Sequence, residues 1–181
     1  MFQNLKLRTK TPFYVMAAAA VIILAGRLAW LVLMPPMIFN YTHSEPYGFY
    51  RLKAHKPDEY RRGMTVLFPV PKPFEAMVFG RGWLNRGTPL MKQIWGLAGD
   101  TVCVTDSQAT VNGKYLGPVS RTDSMGRPLP LLRGCFTIPA GYFFPAGNYI
   151  PNSFDGRYIG PIPLTDIQTE AQPTQWTFSL Y

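Results

Sequence analysis

From Phe13 to Met34 the chain is apolar at every position except Arg27, and Pro35-Pro36 closes the run. As a helix the segment would rise roughly 33 Å, the thickness of a bilayer core. Arg27 opposes insertion by roughly 2.5 to 3.5 kcal/mol at mid-span, and the Leu, Ile, Val and Phe residues at about 0.3 to 0.6 kcal/mol apiece offset it. Arg27 also lies toward the far end, where its stem can carry the charge to the head groups. A cleaved signal peptide, suggested by Ala17 to Ala20, and a buried core helix are the alternatives. Leu28 to Leu33 continue apolar beyond Arg27, which a signal peptide does not need. Lys6, Arg8 and Lys10 precede the segment, so the positive-inside rule leaves the N-terminus cytoplasmic and the remainder outside, periplasmic in a bacterium. The expected organisation is a cytoplasmic N-terminus over 1–12, an anchor over 13–34 and an exported domain over 35–181.

The exported part reads as β. Eighteen prolines, sixteen glycines and 14% aromatics imply short strands and turns. From Tyr50 onward, Arg62 to Pro69 reads as a turn followed by a short strand that Pro69, Pro71 and Pro73 end, Pro89 to Asp100 as a strand leading into a glycine-bounded turn, and Thr101 to Val104 as a further strand. Asn112-Gly113 between strand-like flanks signals a hairpin. A short helical turn is expected within 74–87, a surface loop over 117–132, strands at Cys135 to Ile138 and Gly141 to Pro145, and a dense turn over 148–160 before a last strand. No repeat and no alternation with long helices is present, so the fold class is mainly β: an antiparallel sheet or small barrel behind one N-terminal transmembrane helix. Cys103 and Cys135 lack metal-ligand spacing; they either pair in an exported domain or stay reduced and buried. The net charge of +8 comes without an aromatic-basic stripe or a DNA-binding motif, so no nucleic-acid partner is expected, and no metal or cofactor.

Just past the apolar run lies Asn40-Tyr41-Thr42-His43-Ser44-Glu45-Pro46-Tyr47-Gly48-Phe49-Tyr50. Pro46 and Gly48 place Ser44 in a turn, where its hydroxyl is presented. The bland reading is a linker, and Asn40-Tyr41-Thr42 also fits a glycosylation acceptor. A serine hydroxyl attacks only once a base takes its proton. His43 adjoins Ser44 and would point away from it, while His55 lies in the polar run 53–62 and is expected at the surface. Lys92 is the better candidate. In an extended strand Leu90, Lys92 and Ile94 share one face, and a lysine between aliphatic neighbours loses hydration of its charged form. The competing reading is an edge lysine turned to water.

Pro89-Leu90-Met91-Lys92-Gln93-Ile94-Trp95-Gly96-Leu97-Ala98-Gly99-Asp100 resembles the lysine box of the type I signal peptidases, with Ala98 where proline is usual. Asn152-Ser153-Phe154-Asp155-Gly156-Arg157-Tyr158-Ile159-Gly160 resembles their Asn-Ser-x-Asp-Ser-Arg-x-x-Gly box, with Gly156 for the second serine. Arg62 to Phe68 is similar to their Gly-Asp-x-Val strand without its acid. The serine box departs from the general Ser-Met-x-Pro form and matches Asn-x-(Ser/Thr)-x-Ser-x-Pro-x-Gly-x-Tyr of the conjugative-transfer branch, the TraF-like pilin-maturation peptidases.

The resemblance implies Ser44 as nucleophile and Lys92 as general base, with Ser153 orienting the lysine and Asp155 and Arg157 as a supporting ion pair. It implies an oxyanion hole formed by the Ser44 amide and the Thr42 hydroxyl. For Ser153, Asp155 and Arg157 a purely structural, hydrogen-bonded turn is an equal reading. The implied activity is cleavage of an exported pilin precursor, with cyclisation as a second outcome, at the membrane lipid surface beside type IV secretion or mating-pair components. A general signal peptidase and an inactive scaffold domain are the alternatives.

Overall fold

The computed structural model describes residues 11–33, 35–147 and 153–178. The chain divides into two units, Met1–Pro35 and Pro36–Tyr181. The first contains helix α1, Thr11–Leu33. Val15, Leu24 and Trp30 are all more than 60% exposed, so its described part is apolar outward in every direction, and Pro12–Trp30 is long and apolar enough to cross a membrane.

The second unit is built from two antiparallel sheets. Strands β1 (Met37–Asn40), β2 (Tyr47–Lys53), β3 (Thr65–Phe68), β4 (Leu90–Leu97), β9 (Tyr142–Ala146), β10 (Ile162–Pro163) and β11 (Thr169–Phe178) form a seven-stranded sheet in the order β1-β2-β11-β3-β4-β9-β10. Strands β5 (Thr101–Val104), β6 (Gln108–Val111), β7 (Lys114–Pro118) and β8 (Gly134–Thr137) form a four-stranded sheet in the order β7-β6-β5-β8. Helix α2 spans Lys72–Gly80 and α3 spans Gly156–Ile159.

β4 lies inside the larger sheet, between β3 and β9, and is buried on both faces. Leu90 and Ile94 pack into a cluster with Phe68, Val78 and Phe143, whereas Met91 packs on the opposite side with Tyr50, Leu67 and Ala171. The alternation expected for a strand therefore holds, and it aims Lys92 to the same side as Leu90 and Ile94. Each of these wholly buried side chains contributes about 1.5 to 3 kcal/mol. Pro173 lies in β11 where its one described sheet partner is Tyr50 of β2, which is how a proline fits inside so long a strand.

Several expectations change. β structure begins at Met37 rather than Tyr50: β1 and β2 form a hairpin with Asn40 opposite Gly48, and the serine turn is its loop. The expected helical turn is the nine-residue α2, which starts earlier because Pro71 and Pro73 sit at the N-terminal positions that proline suits. The segment 117–132 begins inside β7, buries Val119 and packs Leu129, Leu131 and Leu132 on the core of the smaller sheet, so it is not only a surface loop. His55 is not a solvated surface histidine. Its side chain is 9% exposed and is held by Glu170 at 2.7 Å and Glu59 at 3.3 Å, carboxylates that close over the polar run. Cys103 and Cys135 stand directly opposite each other in β5 and β8 and form a disulfide. Of the expected turn over 148–160, residues 148–152 lie outside the described residues; the rest holds α3.

Candidate active site

The serine turn is held from within by two side chains of the box. Asn40, 5% exposed, reaches the carbonyls of Thr42, Glu45 and Pro46 with Nδ2 at 3.0 to 3.1 Å. Its Oδ1 accepts the Thr42 N–H at 3.0 Å and the Thr42 hydroxyl at 2.7 Å. The Tyr50 hydroxyl donates to the Pro46 carbonyl at 2.8 Å. With its amide used this way and buried, Asn40 is no glycosylation acceptor. Gly48 has φ +128°, and a Cβ there would overlap the Trp176 carbonyl of β11, so only glycine lets β11 run this close.

Ser44 is buried, and His43 beside it is exposed, its ring edge-on to Tyr47 at 5.2 Å. Lys92 is 4% exposed, and its Nζ donates to Ser153 Oγ at 2.9 Å. Burial pushes the Lys92 amine down to about 8, even though Asp155 and Glu45 act to raise it. A lysine in this state is a substantially neutral amine at mildly alkaline pH, which is what a general base requires.

Gly147, at the end of β9, links these groups. A Cβ on it would lie on Ser153 Oγ and within 3.2 Å of the Ser44 carbonyl oxygen, and its N–H donates to Asp155 Oδ2 at 2.9 Å. The Ser44 backbone, Ser153 and Asp155 thus converge on one glycine. Asp155 is fully buried and caps α3, accepting the Arg157 N–H at 3.1 Å. The Arg157 guanidinium, 1% exposed, grips it in two-pronged fashion, Nε to Oδ1 at 2.9 Å and Nη2 to Oδ2 at 2.8 Å. It also donates to the carbonyls of Pro118 and Ser153. The Asp155–Arg157 pair therefore fastens the segment carrying Ser153 to β9 and β7. Asn152, the first residue of that box, lies outside the described residues.

A cavity of about 220 Å³ opens beside the lysine. Thr42, Lys92 and Ser153 form its polar side, Val78, Trp83, Leu84, Leu90 and Phe154 form an apolar side, and Thr122 to Ser124 with Leu129 close it from the 117–132 segment. Arg81 fixes that segment: Nη1 meets Asp123 at 3.2 Å and Nη2 the Pro128 carbonyl at 2.9 Å. The Thr42 hydroxyl is turned to Asn40, so donation into the cavity requires it to rotate away. Among the described residues no cluster of His, Cys, Asp and Glu has the arrangement of a metal site.

Sequence reasoning missed Glu45, which is 2% exposed, and Gly147. The serine box leaves position 45 open, and nothing local distinguishes Gly147 from a turn glycine.

The family model for "Signal peptidase, peptidase S26" matches residues 9–176. A plasmid transfer protein TraF of Escherichia coli is 33% identical over 147 residues, covering 74% of this chain and 80% of that protein. A conjugal transfer protein TraF of Agrobacterium fabrum is 30% identical over 142 residues, with 74% and 79% covered. A signal peptidase I of Leptolyngbya laminosa is 29% identical over 116 residues, with 64% and 53% covered. With the family pattern running through the apolar helix and both sheets, and relatives aligned over most of either chain, the protein belongs to the signal peptidase family, peptidase S26.

Proposed function

We propose that the protein is a membrane-anchored serine endopeptidase with a Ser44–Lys92 dyad that matures a conjugative pilin precursor. The observation that carries this reading is the buried Lys92, hydrogen-bonded to Ser153 at a cavity that Thr42 also lines, with burial lowering its amine to about 8. Ser44 Oγ attacks the scissile carbonyl as Lys92 Nζ takes its proton. The Ser44 amide and a rotated Thr42 hydroxyl bind the oxyanion, donors worth about 2.7 to 4 kcal/mol each in comparable sites. The lysine then passes its proton to the leaving amine, giving an acyl-enzyme on Ser44. Water frees a linear product from that ester; an amine of the substrate closes a ring. Ser153 orients the lysine, and the Asp155–Arg157 pair holds Ser153.

The pilin substrate is supported by the form of the serine box and by relatives whose names are those of conjugal transfer proteins. In this reading α1 is a retained single-pass anchor in the inner membrane. The N-terminus is cytoplasmic, and the domain faces the periplasm, working at the lipid surface with mating-pair components. The oxidised Cys103–Cys135 pair suits that compartment.

Ser44→Ala and Lys92→Ala are each expected to abolish processing of a co-expressed pilin precursor while leaving membrane insertion intact. Processing retained by either variant would sink the dyad. Mass spectrometry of the product reads linear against cyclic, and an unrelated secretory precursor trimmed equally well would indicate a general signal peptidase.

A further inference from the structure

The stretch 121–129 that closes the lysine cavity is a built element, and the dyad chemistry gives it no task. Thr122 bridges Pro128, the Leu129 N–H donates to the Arg121 carbonyl at 2.9 Å, and the Asp123 N–H donates to the Arg127 carbonyl at 2.9 Å. Asp123 stands at its centre with a side chain only 6% exposed. Oδ1 accepts the N–H groups of Met125 and Arg127 at 3.0 and 2.9 Å, and Oδ2 accepts Arg127 Nε at 2.7 Å and Arg81 Nη1 at 3.2 Å. The result is a small hairpin organised around one carboxylate.

Arg81 ties that hairpin to the wall it faces. It caps the C-terminal end of α2, where its N–H donates to the Met77 carbonyl at 3.0 Å and the Trp83 N–H turns back to the Val78 carbonyl at 3.1 Å. Its guanidinium meets Asp123 with Nη1 and the Pro128 carbonyl with Nη2, and lies 5.3 Å from the centre of the Trp83 ring. Val78 and Trp83 line the cavity on the α2 side, and Thr122 to Ser124 line it on the hairpin side. One side chain therefore sets the separation of the two walls.

Size and charge decide what fits between them. The cavity measures about 220 Å³. A cavity of about 150 Å³ lined by Leu, Ile and Phe holds a benzene ring, so a Leu, Met or Phe side chain has room here and an alanine methyl leaves most of the space unfilled. Trp83 and Phe154, with ring centres 5.1 Å apart, and Leu90 supply apolar contact. A cationic side chain finds no counter-ion in Asp123, whose oxygens already take four donors, and its burial would be costly. An anionic one would pair with the Lys92 amine on which the proposed chemistry depends.

We propose that Arg81 is a specificity-setting positioning residue: by latching the 121–129 hairpin across the cavity, it shapes a pocket for one large apolar side chain of the substrate. The assignment to substrate rests on the peptidase reading; the pocket and its latch do not.

The test has two arms, both on the full chain in detergent micelles. In the first, toluene, a phenylalanine side chain without its backbone, is titrated while NMR follows the labelled Trp83 indole, identified by its loss in Trp83→Phe. The indole signal should shift saturably in the wild type, and the apparent Kd should rise about tenfold in Arg81→Gln, as for the loss of one charge-assisted bond. Leu84→Trp fills the cavity and controls for toluene held by the micelle. No saturable shift in the wild type, or the same shift in Leu84→Trp, would overturn the pocket, and an unchanged Kd in Arg81→Gln would overturn the latch. In the second arm, each of the three residues on either side of the precursor's cleaved bond is replaced in turn by Ala, Leu or Phe. At one position the wild type should favour Leu or Phe over Ala by about tenfold or more in kcat/KM, and Arg81→Gln should flatten that ratio alone. A preference for Ala at every position, or an equal loss on all substrates in Arg81→Gln, would refute the proposal. Should Arg81→Gln not fold, Arg81→Lys decides: it keeps a cation near Asp123 but lacks the fork that also reaches Pro128, so a partly flattened ratio supports the latch and an unaltered ratio refutes it. If no precursor is processed at all, the peptidase reading fails and the toluene titrations alone decide the pocket and its latch.

Discussion

Lys92 Nζ donates to Ser153 Oγ at 2.9 Å, and both residues are at least 96% removed from solvent, at 4% and 2% exposure. The bond fixes where the amine points in a site where burial has already weakened its hold on a proton. A hydrogen bond to a charged group is worth about 1.5 to 3 kcal/mol, so Ser153→Ala should reduce kcat/KM roughly 10- to 100-fold while the protein stays folded. An unchanged rate with unchanged Tm would show that the lysine is oriented by something else.

The same burial sets a pH dependence. The Lys92 amine is lowered to about 8 and must be neutral to act as base, so cleavage should rise with pH through about 8 and fall to roughly one hundredth of its plateau two units below. The measurement is kcat/KM against pH with a detergent-solubilised chain. An acidic limb near the ordinary lysine value would mean that Lys92 is solvated in the working enzyme.

Gly147 makes the site compact. A Cβ there would come within 2.9 Å of Ser153 Cβ and 3.2 Å of the Ser44 carbonyl, so Gly147→Ala must move either the serine turn or the Ser153 segment. Overpacking of this kind costs about 1 to 3 kcal/mol. A drop in Tm accompanied by a larger loss of processing than that destabilisation explains is expected, because both displaced groups belong to the proposed dyad site. A variant with full activity would show that the turn yields without disturbing Ser44.

The buried Asp155–Arg157 pair should be sensitive to losing one partner. Arg157→Met leaves the fully buried Asp155 carboxylate, among the described residues, with the Gly147 and residue-157 backbone N–H groups, and removal of one member of such a pair costs about 3 to 5 kcal/mol. Chemical denaturation should show a lower midpoint for this variant than for Arg121→Met, whose ion pair with Asp106 is exposed at both ends. Equal midpoints would contradict a structural role for the pair.

The features legible in the sequence were those fixed by local physics. The burial of Lys92 follows from strand alternation between Leu90 and Ile94, and the turn around Ser44 from Pro46 and Gly48. What escaped depends on chain far away. Met37 to Asn40 is too short and too close to Pro35-Pro36 to read as a strand until β2 and β11 supply its sheet. His55 looks solvated unless Glu170, 115 residues on, is known to close over it. Glu45 drew no expectation, because the serine box leaves its position open and its burial depends on the folded turn.

Acid should weaken the fold at Asp100, the aspartate that ends the turn after β4. Arg62 binds it with Nε to Oδ2 at 2.8 Å and Nη2 to Oδ1 at 2.6 Å, and the Leu97 N–H and Asn112 Nδ2 add bonds at 2.8 and 2.7 Å. The Arg62 bonds, with those two further donors, outweigh burial and lower the carboxyl to about 2. Unfolded, it would titrate near 3.9. A depressed native value means that the folded state binds fewer protons, so the stabilisation is complete above about pH 5 and is lost as pH falls through about 2. Because the Arg62 side chain is 54% exposed and screened by water, the contribution is about 1 to 2 kcal/mol rather than the full shift. In urea titrations between pH 6 and 2, Asp100→Asn should be less stable than wild type at pH 6 and lose less on acidification, so the two curves converge near pH 2. Parallel curves would place the acid sensitivity in other carboxylates.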